Sequence, residues 1–509
     1  VGTIILTSKA SRGFLLAAIL LCLCGLLSPA AVAKTIHVAP DGRVSNDGTL
    51  ARPVATPQQA LDMAAAGDTI FLRAGRYQLT HFLWLDKPKL TFASYPQERA
   101  TLVSGSDDIP TNAQSIIIAV ADSISLVNLD IDGGVYYGVK IDIDKAASSR
   151  NITVRGCHIR NSGRDGIKTF NADNLLIEDC EIGPTGVRDA SNAEGIDSIG
   201  SVRVTIRNCY VHDAATTGIY LKGAARDGIV ENNRVERCGG AGILLGQDTD
   251  LEFMRDGAKF EAINCVARNN IIADIQYAGI GSYSGNTIRF ENNTVTDVAK
   301  KGQAGFYVVT NGRDIAAQKV VCKNNIVVVN SDRPAVFLKD MADAPICDSN
   351  IYFAAKSKAA FRREAKSDYN EWEFIGWRNS MKTDARSLFT DPLLDATTLF
   401  KPRPNSPAFD RGETLPEVKT DFSGTLRPQG KAYDIGAWEG KSDGTIAPVN
   451  DNETAATKQT ASDAAPSGWL TMALLGLGGG LLLTAFFLIR SKFFPASRQK
   501  LKAKFPEGV

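Results

Sequence analysis

The stretch "NITVRGCHIRNSGRDGIKTF" occupies residues 151 to 170, and its pattern returns twice soon afterwards. The second copy is "NLLIEDCEIGPTGVRDASNAEGIDSIG" from Asn174, and the third is "RVTIRNCYVHDAATTGIYLKG" from Arg203. Each copy holds an alternating strand, a polar turn, and a glycine followed by a β-branched residue. Aligning the copies outward places Leu129, Cys157, Cys180, Cys209, Asn233, Asn270, Asn293, Asn325 and Asn350 in one column. A second column holds Gly138, Gly166, Gly195, Gly218, Gly242, Gly279 and Gly305, each followed by Val, Ile or Phe.

Successive steps in the first column are 28, 23, 29, 24, 37, 23, 32 and 25 residues. Repeats of that period indicate a solenoid, a propeller or an array. Helical and leucine-rich repeats require Leu-rich runs of period 3.6, which are missing, and propeller blades require longer units of four strands. Short strands with polar turns and a variable step fit a parallel β-helix, whose loops absorb insertions while the strands stay in register. Like residues then stack as ladders about 4.8 Å apart. Stacked Asn side chains bond to one another along such a ladder, and Cys and Leu fill the interior. In-register Cβ vectors point the same way, so Cys157, Cys180 and Cys209 are expected as buried free thiols.

The chain has 509 residues, with 57 Lys+Arg against 56 Asp+Glu. That balance gives no electrostatic case for nucleic acid as a partner. Four histidines without Cys/His clusters argue against a zinc site. At the N-terminus, Lys9 and Arg12 precede "FLLAAILLCLCGLL" and the small-residue "AVA", the plan of a secretory signal peptide over 1–33. Removing it leaves seven cysteines, an odd number that argues against a complete disulfide framework.

The remaining boundaries are an N-terminal cap and first coils (34–100), a β-helix core (101–355), C-terminal coils and a cap (356–440) and a flexible linker (441–467). A transmembrane helix (468–490) follows, containing the uncharged run Trp469 to Ile489, and then a basic tail (491–509) that the positive-inside rule places in the cytoplasm. A processed sorting tail is the alternative for this end. The expected location is anchored in the inner membrane with the β-helix extracytoplasmic, in the periplasm. Within the cap, "TPQQALDMAAAGD" predicts a helix with Thr56 as N-cap, Pro57 at N1 and Gly67 as C-cap, covering the open edge of the first coil.

The segment "IHVAPDGRVSNDGTLARPVATPQQALDMAAAGDTIFLRAGRY" resembles the N-terminal signature of secreted β-helix proteins of the pectate-lyase-like superfamily. "FTDPLL", "RPNSPAFDRG", "TDFSGTLRP" and "YDIGAWE" resemble the C-terminal segment of the same group. The resemblance covers about Thr35 to Glu439 and implies an all-β, right-handed parallel β-helix of roughly 9–11 coils with an N-terminal cap helix, to which the apolar run adds the one C-terminal transmembrane helix. The group mixes lyases, epimerases, hydrolases and adhesins, and neither the multi-Asp calcium motifs of pectate lyases nor the pattern of the chondroitinase B and alginate lyase group is recognisable here.

Strand alternation puts Ile167, Ile196, Ile219, Ile243, Ile280 and Phe306 inside, with the next residue of each strand outside. Lys140, Lys168, Asp197, Tyr220 and Lys222 then form one outer strip, continued by Tyr283 and Tyr307, with Asp165 and Glu194 in the turns before the strands. The insertions "PTGVRDASNA" and "DTDLEFMRDGAKF" are placed to wall the strip. Such a surface suits an acidic polysaccharide: lysine neutralises a uronate carboxylate or, with a lowered pKa, removes the proton at the adjacent carbon. Lys168, Asp197 and Tyr220 are the catalytic candidates, Tyr220 as donor to the leaving oxygen. Lys140, Lys222, Tyr283 and Tyr307 are the substrate-binding candidates. Glu194 and Asp165, with Asp197 alongside, are candidate ligands for calcium, the one cofactor considered. Lys168 and Asp197 are expected to face solvent, and His212 reads as a surface histidine. The functional expectation is a lyase or C5-epimerase type of chemistry on an acidic polysaccharide; a non-catalytic glycan-binding or envelope scaffold protein is the alternative.

Overall fold

The computed structural model describes residues 33–104, 115–142, 149–365, 368–442 and 444. Nearly all of the segment read as a signal peptide and of the linker, and the whole of the apolar run Trp469 to Ile489 and the basic tail, lie outside the described residues. Among the described residues no helix is long and apolar enough to cross a membrane.

The chain winds as an all-β, right-handed parallel solenoid of about 11 turns. One coil consists of Ser125–Val127, Leu129–Asp132 and Tyr137–Ile141, and the next of Arg150–Arg155, His158–Arg160 and Ile167–Phe170. The first strands of successive coils form one long sheet, the second strands another and the third strands a third. Pairing is parallel throughout the three stacks, except that Phe361–Ala365 and Asp368–Trp372 close the third sheet antiparallel. Side chains from all three sheets meet in one continuous core running from Ile36 to Trp377.

A single residue turns the chain from the first sheet to the second in each coil. Asn128, Gly156, Asp179, Asn208, Asn232, Asn269, Asn292, Asn324 and Ser349 all hold φ between 52° and 64° there. This left-handed region is tolerated by Gly, Asn and Asp, which supply eight of the nine positions. The residue after each turn is the aligned Cys/Asn column, and it points inward.

In that column Asn233, Asn270, Asn293, Asn325 and Asn350 are fully buried and bonded in series. The Asn270 N–H and Nδ2 both donate to Asn293 Oδ1 at 3.0 Å, and Asn293 Nδ2 donates to Ala267 O at 2.9 Å. Cys209 N–H donates into the lower end, to Asn233 Oδ1, and Asn350 N–H donates to Ser387 Oγ at the upper end. The seven described cysteines are free and buried, as expected for Cys157, Cys180 and Cys209. The glycine column has a steric cause. A Cβ on Gly166 would lie 2.4 Å from Ile182 Cγ2 and 2.8 Å from Gly195 O, the atom that accepts from Ile167 N–H at 3.0 Å.

Two residues before the Cys/Asn column, on the outer face of the first sheet, the sign of charge alternates. Arg155, Glu178, Arg207, Glu231, Arg268, Glu291, Lys323 and Asp348 are successive partners in register. Glu178 bridges Arg155 and Arg207, and Glu231 pairs with Arg268.

Helix α1 (Pro57–Met63) caps the first coil, with Thr56 Oγ1 accepting from Gln59 N–H at 3.2 Å and Pro57, Ala60 and Leu61 buried. It ends sooner than expected. The C-cap is Ala64 in an extended conformation, and Gly67 instead turns the chain at φ +89° as it enters the first sheet. A second helix, α2 (Phe374–Met381), packs Phe374 and Trp377 onto the last coils.

The C-terminal segment folds back along the turns as a strap. Asn292 Nδ2 donates to Asp434 O and Gly436 O, Asn324 Nδ2 to Glu413 O, and Asn269 Nδ2 to Thr420 O. Arg427, fully buried with Glu439, also donates to Asn269 Oδ1. Asp434 accepts from the N–H groups of Asp410 and Gly440, yet burial pushes its pKa up to about 7.

Two outcomes follow for stability. Asn293→Leu should cost about 2–4 kcal/mol in urea melts, because Asn270 N–H and Ala267 O lose their buried partners; reductant should leave the melting temperature unchanged. Asp434 takes up a proton more readily folded than unfolded, so its effect on stability declines as pH rises from the ordinary carboxylate range to about 7. Melts across that window should fall with pH in the wild type and flatten in Asp434→Asn.

Candidate functional site

The outer strip forms on the third sheet with the expected register. Lys140 lies opposite Lys168, Lys168 opposite Asp197, and Asp197 opposite Tyr220, with Lys222 opposite Ile199. Leu244, Gly281, Tyr307 and Phe337 continue the same line. The candidate residues thus divide into two groups. Lys140, Asp165, Lys168, Glu194, Asp197, Tyr220 and Lys222 cluster on four adjacent rungs, whereas Tyr307 lies four rungs above Asp197, with Tyr283 beside it.

The expected exposure of this cluster is wrong. Asp197 is fully buried, and Lys168 is 6% exposed. Alternation places them outside the solenoid's core, but neighbouring side chains cover them. Lys168 lies 5.9 Å from the Tyr137 ring and 5.8 Å from the Phe170 ring, and Phe253 of the second insertion packs on Phe170. That insertion is fastened by Arg255, which donates to Gly200 O at 2.9 Å. The first insertion folds back on the preceding turn, where Asp189 pairs with Arg164. His212 is likewise buried rather than on the surface; it stacks on Tyr210 and contacts Asp213 and Glu181.

Charge is concentrated at the centre. Lys168 Nζ pairs closely with Asp197 Oδ2 and lies 3.1 Å from Asp165 Oδ2, while Lys222 Nζ is 3.2 Å from Asp197 Oδ2. Burial alone would discharge the Lys168 ammonium, but Asp197, Asp165 and Glu194 override it and raise its pKa. Lys168 is therefore a fixed positive charge, which does not match the lowered pKa expected of a lysine base. Burial likewise opposes ionisation of Asp197, and Lys168 and Lys222 reverse this, leaving its pKa below the usual range. Asp165 goes the other way: burial, with Glu194 and Asp197 close by, drives its pKa well up despite Lys168. Tyr220 is buried too, which raises its pKa, and its hydroxyl accepts from Thr217 Oγ1 and Gln247 Nε2. Lys222 is the lysine of this centre with the more open side chain, 11% exposed against 7% for Lys168, and its Nζ is 4.5 Å from the Tyr220 ring centre.

Asp165, Glu194 and Asp197 each bring one carboxylate oxygen within 4.8 Å of the others. Asp165 Oδ1 accepts from Glu194 N–H, and Glu194 Oε1 accepts from Thr216. Glu194 Oε2 and Asp197 Oδ1 are buried without a hydrogen-bond partner, and Asp165 Oδ2 meets only the Lys168 ammonium. Two orphaned carboxylate oxygens beside a third carboxyl group fit the demand of a hard divalent cation for oxygen ligands. The trio includes Asp197, assigned above to catalysis, besides Glu194 and Asp165. Tyr137, Thr216, Thr217 and Gln247 complete the surroundings and were not among the candidates; they lie in or beside turns whose lengths vary from coil to coil.

A family model described as the right-handed β-helix region matches residues 137–327. Pectate lyase PEL9 of Emericella nidulans is 28% identical over 208 residues, spanning 40% of this chain and 39% of that enzyme. The protein YwoF of Bacillus subtilis, described as uncharacterized, is 22% identical over 450 residues, covering 73% of this chain and 92% of its own. Among solved structures, pectate lyase Pel9A superposes with a TM-score of 0.52 at 16% identity, over 81% of this chain and 98% of that one.

Because Asp197 compensates the buried Lys168 ammonium and also pairs with Lys222, Asp197→Ala should destabilise the protein by about 3–5 kcal/mol in denaturant melts. Lys168→Met combined with Asp197→Leu should cost less than Asp197→Ala alone, since no buried charge then lacks a partner.

Proposed function

Because the chain is a right-handed parallel β-helix protein of the pectate-lyase-like superfamily, we propose that it acts on an acidic polysaccharide by lyase or C5-epimerase chemistry. The observation that carries this reading is the convergence of three buried carboxyl groups, two of them with an unbonded oxygen, beside two lysines on one outer strip. The match to pectate lyase PEL9 supports the substrate class.

Asp165, Glu194 and Asp197 would hold the cation, calcium by the chemistry of the donor set. A divalent cation there would supply positive charge that draws a uronate carboxylate. Lys168 and Lys140 add fixed positive charge around the sugar acid. Lys222, the more open of the paired lysines, is placed to take the proton from the carbon beside the uronate carboxylate. In the lyase version the electron pair left on that carbon forms a C=C bond as the glycosidic oxygen departs. Tyr220, which keeps its proton, is the donor to that oxygen. In the epimerase version a proton returns to the opposite face of the same carbon and no bond to oxygen breaks.

For location, we propose a β-helix held outside the cytoplasm by the apolar run Trp469 to Ile489, after removal of a signal peptide. Reporter fusions after Glu439 and after Lys504 should then report opposite sides of the membrane. A mature protein released in soluble form without the apolar run would favour the sorting-tail alternative.

Incubation with polygalacturonate or polymannuronate and calcium should give either ultraviolet absorbance from a new C=C bond or solvent deuterium at the uronate α-carbon. Chelation should abolish it, and Asp165→Asn should lower the rate about 100-fold or more. Calcium-dependent binding with neither signal would leave the protein in the non-catalytic class.

A further inference from the structure

The strip does not end at the charged cluster. Beyond Tyr220 the outward positions on the same line are Leu244, Gly281, Tyr307 and Phe337. Tyr307 and Phe337 are half-buried, with ring centres 5.3 Å apart and planes within 16°. Tyr283, held through its hydroxyl by Gln303 Nε2, leans against Tyr307 with ring centres 5.7 Å apart. Gly281 is buried and adds no side chain to this line, because a Cβ there would lie 2.0 Å from Tyr307 O. The rest is an apolar ledge, continuous in register with the cluster and without a cation on this line until Arg362. Arg362 is paired with Glu371, and Lys339 beside it with Glu364.

From Asp197 to Phe337 there are five rung steps, about 24 Å at strand spacing. A pyranose residue in an extended chain advances by about one rung, so a glycan lying along the solenoid axis would cover cluster and ledge with about six sugars. A uniform polyuronate would set carboxylates on Tyr307 and Phe337, where no free positive charge on this line meets them and their desolvation is uncompensated. A neutral sugar presents an apolar C–H face that such a ledge can cover.

We propose that the occupant is a mixed acidic heteropolysaccharide, with a uronate at the Asp165–Lys168–Asp197 cluster and neutral sugars on the Tyr307–Phe337 ledge. This rests on the reading of the cluster as a uronate site.

The test is calorimetric titration of the full chain in calcium with two hexasaccharides: homogalacturonate, and one alternating galacturonate with rhamnose. The alternating hexamer should bind about tenfold more tightly, the worth of one partly buried apolar contact. Phe337→Ala should abolish that preference and Phe337→Tyr should retain it, each checked for folding by its melting curve. Asp165→Asn should weaken both hexamers. Equal or tighter binding of homogalacturonate by the wild type overturns the proposal, as does failure to bind either hexamer. If Asp165→Asn loses both ligands while Phe337→Ala changes nothing, the ledge is wrong and the cluster stands. If Phe337→Ala removes the preference while Asp165→Asn binds as the wild type, the uronate assignment of the cluster fails instead.

Discussion

A parallel, in-register stack sets each side chain of a strand about 4.8 Å above and below side chains at the same position of neighbouring coils. Few residue types suit that company on both sides. Asparagine does, because its amide offers an acceptor to one neighbour and donors to another, as Asn270 and Asn293 do. Glycine suits the place where coils approach most closely. Charged residues suit it when their signs alternate, as from Arg155 to Asp348. A slip of one coil would set like charges opposite along that row, so the row favours the correct pairing even where single ion pairs contribute little.

This constraint also explains what could be read in advance. Columns repeat because the environment repeats, so the Cys/Asn and glycine columns gave the fold and the register of the site strip. The alternating charges lay two positions before the Cys/Asn column and were open to the same alignment; they needed only a test for sign instead of residue type. The left-handed turn was equally visible, as the Asn, Asp or Gly preceding each rung. What alternation does not carry is cover. It separates inside from outside of a sheet, but the shielding of Lys168 comes from Tyr137, Phe170 and, through Phe170, Phe253, none of which belongs to the Cys/Asn or glycine columns, and Asp197 is met by Lys168 and Lys222. The reversal at Lys168 has the same origin. A lysine followed along its own strand shows no carboxylate contact, yet Asp165 reaches it from the preceding turn and Asp197 from the next coil.

The site is thus an exception to the logic that builds the rest. In the Asn ladder stacked polar groups are paired, whereas Glu194 Oε2 and Asp197 Oδ1 at the centre of the strip have no hydrogen-bond partner and Asp165 Oδ2 meets only Lys168. Such an arrangement is costly to the fold alone and makes physical sense where a ligand supplies the missing partner. Its position also fits: the inward residues of the same strands belong to the continuous core, so the backbone beneath the cluster is held while the turns on either side vary in length.

The strap has a consequence for how the molecule comes to be. Coils that touch only their neighbours can be laid down one after another as the chain leaves the ribosome, each templated by the one before. Thr420, Arg427 and Gly436 emerge well over a hundred residues after Asn269 and Asn292, the turns they fasten. Until then those coils are held by stacking alone and can fray from the growing end. Synthesis therefore finishes with a clasp, and a chain truncated before it would keep the winding but lose the bonds that join distant coils into one cooperative body.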